Sequence, residues 1–113
     1  MLMWSLFIGH LIGDWLLQRG EWAKRKVEEK KYLIIHSLVY SLSITIMYLT
    51  HTQFFPAVVW VFIISYLSHY IIDDRKLTIW WVENIKLDDE KPNWLVFVID
   101  QCFHIIILYL IAR

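Results

Sequence analysis

A histidine and an aspartate stand four residues apart in Gly9-His10-Leu11-Ile12-Gly13-Asp14, inside an apolar run that begins at Met1. On a helix the two side chains lie on one face, one turn apart. In a membrane helix such groups are costly, about 2.5–3.5 kcal/mol for an aspartate at mid-bilayer. The fold must therefore bring them a partner or a use. The spacing recurs in Ser68-His69-Tyr70-Ile71-Ile72-Asp73 and, reversed, in Asp100-Gln101-Cys102-Phe103-His104.

The surrounding sequence favours a membrane. Of 113 residues, 58% are hydrophobic, and mean hydropathy is +0.48. Net charge is zero, so no global basic field draws nucleic acid, and no specific nucleic-acid binding is expected. Cys102 is the only cysteine; it can form no internal disulfide and reads as a buried apolar filler. The first apolar run has no basic leader and carries His and Asp, unlike a cleavable signal peptide.

Charge clusters at 19–31 and 73–91, which divides the chain into four apolar stretches of helical length, about 2–18, 32–50, 56–73 and 94–112. The expected fold is all-α: one membrane domain over 1–113, a four-helix transmembrane bundle. Ser5, Gly9 and Gly13 form a small-residue edge on which another helix can pack closely. Pro56 suits the first helical residue of the third span, and Asn93 suits a cap on the fourth. Between these spans Leu77, Trp80, Trp81 and Ile85 recur at helical spacing, which predicts an amphipathic segment lying on the membrane.

The 19–31 loop holds six Lys/Arg and the 74–93 loop four, whereas the 51–55 turn has none. The positive-inside rule then places both long loops in the cytoplasm and both termini outside. This topology fixes depth. At about 1.5 Å per residue, Asp14, His36, His69 and Asp100 lie about 6–9 Å below the cytoplasmic surface and His10 and His104 about 12–15 Å, with Asp73 near the surface. Seven ionisable residues from four helices thus fall in one layer. His51, in the outer turn, lies apart and reads as solvated.

Four His and three Asp offer nitrogen and oxygen donors. That set suits a divalent transition metal, zinc first, then manganese or iron, as one or two ions. Gln18, Gln101 and Tyr40 adjoin the layer and can hydrogen-bond its members. A metal there could activate water for hydrolysis, with Lys24, Arg75 and Lys76 holding an anionic small molecule or lipid headgroup. Other readings compete: a divalent-cation or proton transporter, a haem held by two histidines, or a membrane adaptor whose polar layer only fixes helix register. A homo-oligomer is compatible with all of them.

The motifs His-Leu-Ile-Gly-Asp-Trp-Leu-Leu-Gln (10–18), His36, His-Tyr-Ile-Ile-Asp (69–73) and Asp-Gln-Cys-Phe-His (100–104) resemble the domain-of-unknown-function family 3307, small membrane proteins of bacteria and phages. The resemblance covers nearly the whole chain. It implies a prokaryotic inner-membrane protein and carries His10, Asp14, Gln18, His36, His69, Asp73, Asp100, Gln101 and His104 as motif positions, with Asp74-Arg75-Lys76 fitting loosely. A weaker similarity to membrane-bound metal-dependent hydrolases, which also place His-x-x-x-Asp pairs on membrane helices, implies hydrolysis by analogy.

Overall fold

Apolar stretches of 15 to 20 residues bury their backbone hydrogen bonds best as helices, and all regular structure among the described residues is helical. The computed structural model describes residues 1–17, 28–86 and 90–113. Gln18 and Lys24 lie outside them, as do most of the first basic loop and Asp88-Asp89. The elements are α1 (Leu2–Leu11), a π-helical turn (Ile12–Leu16), α2 (Lys30–Leu49), α3 (Phe55–Asp73), α4 (Lys76–Asn84) and α5 (Asn93–Ala112).

Helices α2, α3 and α5 are long and apolar enough to cross a membrane; 20 residues span about 30 Å. The first apolar segment, Leu2–Leu16, is shorter. It does not run on as one α-helix to residue 18. Leu17 N–H bonds to Ile12 O at 2.8 Å, five residues back, and this wider turn carries Gly13 and Asp14. Such turns are rare and often sit at functional sites.

Four helices pack in a ring, α1 against α2, α2 against α3, α3 against α5 and α5 against α1, and side chains meet across its middle, as Tyr40 of α2 does with His104 of α5 at 6.0 Å between ring centroids. Each neighbouring pair is antiparallel, as the pairings Gly9 with Met47 and Gly13 with Tyr40 illustrate for α1 and α2. The two glycines are what let α1 approach. A Cβ on Gly13 would stand 3.0 Å from Tyr40 Cα, and one on Gly9 3.0 Å from Met47 Cγ.

The distribution of polarity is inverted. Histidines, aspartates and serines are buried between the helices, while Trp4, Ile46, Trp60, Ile71, Ile106 and Leu110 face outward. That is the pattern of a membrane protein, whose exterior solvent is itself apolar. At the end of the ring near the 51–55 turn, Leu6, Tyr40, Ile44, Val61 and Leu108 form the apolar core. The polar cluster fills the other end.

Several local expectations need correction. Cys102 is exposed, on an outer face among apolar neighbours, so it packs against whatever surrounds the ring and not inside it. Asn93 is the first helical residue and makes no cap. Pro92 holds that position, and its carbonyl accepts from Leu95 and Val96 N–H. Phe55, not Pro56, begins α3. Helix α4 buries Thr78 and Val82, and Trp81 packs edge-on against Phe103 of α5, whereas Leu77, Trp80 and Ile85 stay exposed. The face available to a membrane surface is thus Leu77/Trp80/Ile85. His51, exposed as expected, is bonded to Ser5 Oγ at 2.7 Å.

Candidate metal centre

Five elements converge on one buried volume. The π turn supplies Asp14, α2 supplies His36 and Tyr40, α3 supplies His69 and Asp73, and α5 supplies Asp100, Gln101 and His104. His10 enters from α1. The antiparallel ring makes this possible: residues near the end of one helix meet residues near the start of the next. His36 and His69 are 0% exposed.

The carboxylate oxygens and ring nitrogens of four residues form a closed circuit. His36 Nε2 lies 3.0 Å from Asp14 Oδ1 and 3.3 Å from Asp73 Oδ2, and His69 Nε2 lies 3.8 and 3.5 Å from the same two atoms. One ligand atom from each of Asp14, His36, His69 and Asp73 can be chosen so that all fall within 4.8 Å of one another. A tetrahedral zinc with ligands at about 2.0–2.2 Å has edges of about 3.4 Å. The four observed sides bracket that value.

The hydrogen-bond network decides which way His69 presents its lone pair. His104 Nδ1 lies 2.8 Å from the backbone carbonyl of Asp100. A carbonyl only accepts, so Nδ1 carries the hydrogen, and in a neutral ring Nε2 is left as an acceptor. His69 Nδ1 lies 2.8 Å from that nitrogen and must donate to it. A neutral His69 therefore turns its Nε2 lone pair toward Asp14 and Asp73. That nitrogen is buried without a hydrogen bond. A lone pair aimed at two carboxylates is repulsive unless a cation lies between them.

His10 is placed differently. Gln101 Nε2 donates to Asp100 Oδ2 at 3.2 Å and to Asp14 Oδ2 at 3.4 Å. This fixes the amide so that its oxygen accepts from His10 Nε2 at 2.9 Å. His10 Nδ1 then accepts from the Tyr40 hydroxyl at 3.1 Å. Both nitrogens of His10 are thus engaged away from the circuit. Tyr40 also stacks on His69, with ring centroids 3.8 Å apart and 15° between planes. Tyr40 and Gln101 are the residues that lock the rings in place. The histidine rings touch one another, His69 and His104 at 4.6 Å and His36 and His69 at 4.8 Å between centroids. No slot for a haem macrocycle opens between them.

A second group, Asp73, Asp100 and His104, also meets the spacing for an ion and shares Asp73 with the first. Of the residues expected to contact substrate, Arg75 lines a cavity of about 360 Å³ with Asn93, Val96, Phe97 and Asp100. Lys76 instead sits at the surface, 3.7 Å from Asp74, which Lys30 also holds at 2.7 Å. Asn93 and Phe97 were not singled out by sequence as ligand contacts. Their signal was positional only: they lie two turns and one turn, respectively, before Asp100 on α5.

Comparison with protein families matches residues 2–113 to a family described as protein of unknown function (DUF3307), and the chain belongs to that family. No curated protein and no solved structure matches it.

Proposed function

We propose that this chain is a four-span membrane protein of the prokaryotic inner membrane, with its long loops cytoplasmic. In this reading Asp14, His36, His69 and Asp73 hold one divalent ion, zinc by preference, for hydrolysis of a phosphoester. The observation that carries the reading is His69 Nε2, buried and without a hydrogen bond, facing two carboxylates. One ion is favoured over two because both ring nitrogens of His104 are engaged; a second ion would have to displace one of those bonds.

A divalent ion in this position supplies Lewis-acid activation of water or of a phosphoryl oxygen. In the hydrolysis, a water oxygen forms a bond to phosphorus, the ester P–O bond breaks, and the departing alkoxide receives a proton. Asp100 is both beside the cluster and on the cavity wall, which places it to take the proton that water loses and pass it on. Hydrolysis also accounts for the cavity, which a purely structural polar layer would not need.

Transport is less well supported. Beyond the cluster the buried hydroxyls are spent on their own helices: Ser41 on Leu38 O, Ser43 on Val39 O, Thr45 on Ser41 O and Ser65 on Val61 O. Leu6, Ile44, Val61 and Leu108 close the space around them. Among the described residues no polar route continues to the far end.

Elemental analysis of detergent-purified protein tests the reading. The wild type is expected to carry close to one transition-metal ion per chain, and His69→Ala close to none. A folded wild type with no stoichiometric metal, and no thermal shift on adding zinc, manganese or iron, overturns it.

A further inference from the structure

The cavity beside Asp100 does not end at its polar wall. Phe97 lines it and also lines a groove of about 280 Å³ between α1 and α5, whose sides are Phe7, Trp15, Val98 and Ile105. The Phe97 side chain is thus a wall common to both spaces. They differ in chemistry. The cavity has a guanidinium and an amide; the groove is walled by hydrocarbon and aromatic rings, with Trp15, Phe97 and Val98 exposed on the outer face of the ring of helices. Both volumes are near the lower end of the range for small-molecule sites.

Arg75 is held in an unusual way. Its φ is 68°, a left-handed conformation that a non-glycine residue adopts only at a cost. It is the hinge between α3 and α4, two residues beyond Asp73. It makes no ion pair among the described residues, although Asp74 beside it is held by Lys30 and Lys76. An arginine with no ion pair among the described residues, on a strained backbone, in a cavity wall is placed for an anion from outside the chain.

We propose that the cavity and the groove together bind one amphiphile, a lipid phosphoester. Its anionic head sits at Arg75 and Asn93 beside Asp100, and its hydrocarbon chain lies along the α1/α5 groove. The size of the groove, its apolar walls and its opening on the outer face match an acyl chain arriving from the bilayer. The charge of Arg75 matches the phosphate. This deepens the hydrolase reading by giving it a substrate class, and it rests on that reading only for what happens to the ligand after it binds.

Calorimetry in detergent, with didecanoyl phosphatidic acid, inorganic phosphate and didecanoylglycerol as separate probes, decides the matter. Phosphatidic acid is expected to bind at least tenfold more tightly than either of the others. Arg75→Asn removes the charge yet suits a left-handed position. It is expected to reduce phosphatidic acid to the diacylglycerol level while the unfolding midpoint holds or rises. Val98→Trp fills the exposed groove and is expected to weaken phosphatidic acid without altering phosphate binding. Phosphatidic acid binding no tighter than inorganic phosphate, or unchanged by either substitution, overturns the proposal. If elemental analysis finds the wild type free of metal, the same titration separates the two ideas. Lipid binding on that protein keeps the amphiphile site and discards the ion, and its absence discards both.

Discussion

Asp14→Asn is expected to lower zinc affinity by more than about 100-fold, beyond the 10–100-fold typical of residues that only support a ligand. Asp14 is the point where most of the cluster meets. Its Oδ1 lies 3.0 Å from His36 Nε2 and 3.8 Å from His69 Nε2, and its Oδ2 receives Gln101. Asparagine keeps the shape but replaces a carboxylate oxygen with a neutral amide, so two histidines and one carboxylate remain for the ion. Competition against a chelator of known affinity measures the loss, with thermal unfolding as the check that the variant is folded. Equal affinity in variant and wild type would remove Asp14 from the site.

The same titration separates ligands from the residues that aim them. His104→Phe deletes the acceptor for His69 Nδ1–H but leaves the four-residue circuit intact. His69 is then free to take the other tautomer, and of its ring contacts it keeps those with Tyr40 and His36. The expected loss is about 10–100-fold, smaller than for Asp14→Asn. The reverse order would make His104 a ligand and would favour two ions bridged by Asp73.

The polar residues of this cluster were legible in the sequence because a membrane makes them conspicuous. An aspartate in a soluble helix says little; His10 with Asp14, His69 with Asp73 and Asp100 with His104 inside apolar runs say a great deal. Their convergence followed from antiparallel spans and a rise of about 1.5 Å per residue. What sequence could not show was rotation. A regular α-helix stacks Asp14 over His10, but the π turn directs its Oδ1 to His36 and leaves His10 Nε2 3.9 Å from the other oxygen. That turn packs against α2 and has no periodic signature. Rotation also separated the face of α4 that carries Leu77 and Trp80 from the face that is buried, because aromatic residues occur on both. Cys102 was misplaced for a different reason. The rule that small apolar residues go inside assumes water outside, and here the exterior is apolar.

Gly13→Ala is expected to cost more than Gly9→Ala and to disturb the cluster as well as the fold, although both glycines, one in the π turn and one in α1, face α2. At Gly13 the added methyl meets Tyr40 Cα at 3.0 Å and Ser43 Cβ at 3.1 Å, backbone and the root of a side chain, neither of which can step aside. At Gly9 the closest atom is Met47 Cγ at 3.0 Å, part of a flexible side chain that can change rotamer, and the nearest backbone atom, Ser43 O, stands farther off at 3.2 Å than Tyr40 Cα does from Gly13. Overpacking of the first kind costs about 1–3 kcal/mol, and relief requires α1 to move away from α2. Asp14 is the next residue and would move with the backbone, lengthening the 3.0 Å contact to His36. Stability in a detergent-denaturation titration and zinc affinity should therefore fall together in Gly13→Ala. In Gly9→Ala, one turn farther from Asp14, stability should fall less and affinity should hold. Loss of stability with unchanged zinc affinity in Gly13→Ala would mean that the close approach of α1 to α2 serves packing alone, and that Asp14 is positioned by its hydrogen bonds to His36 and Gln101.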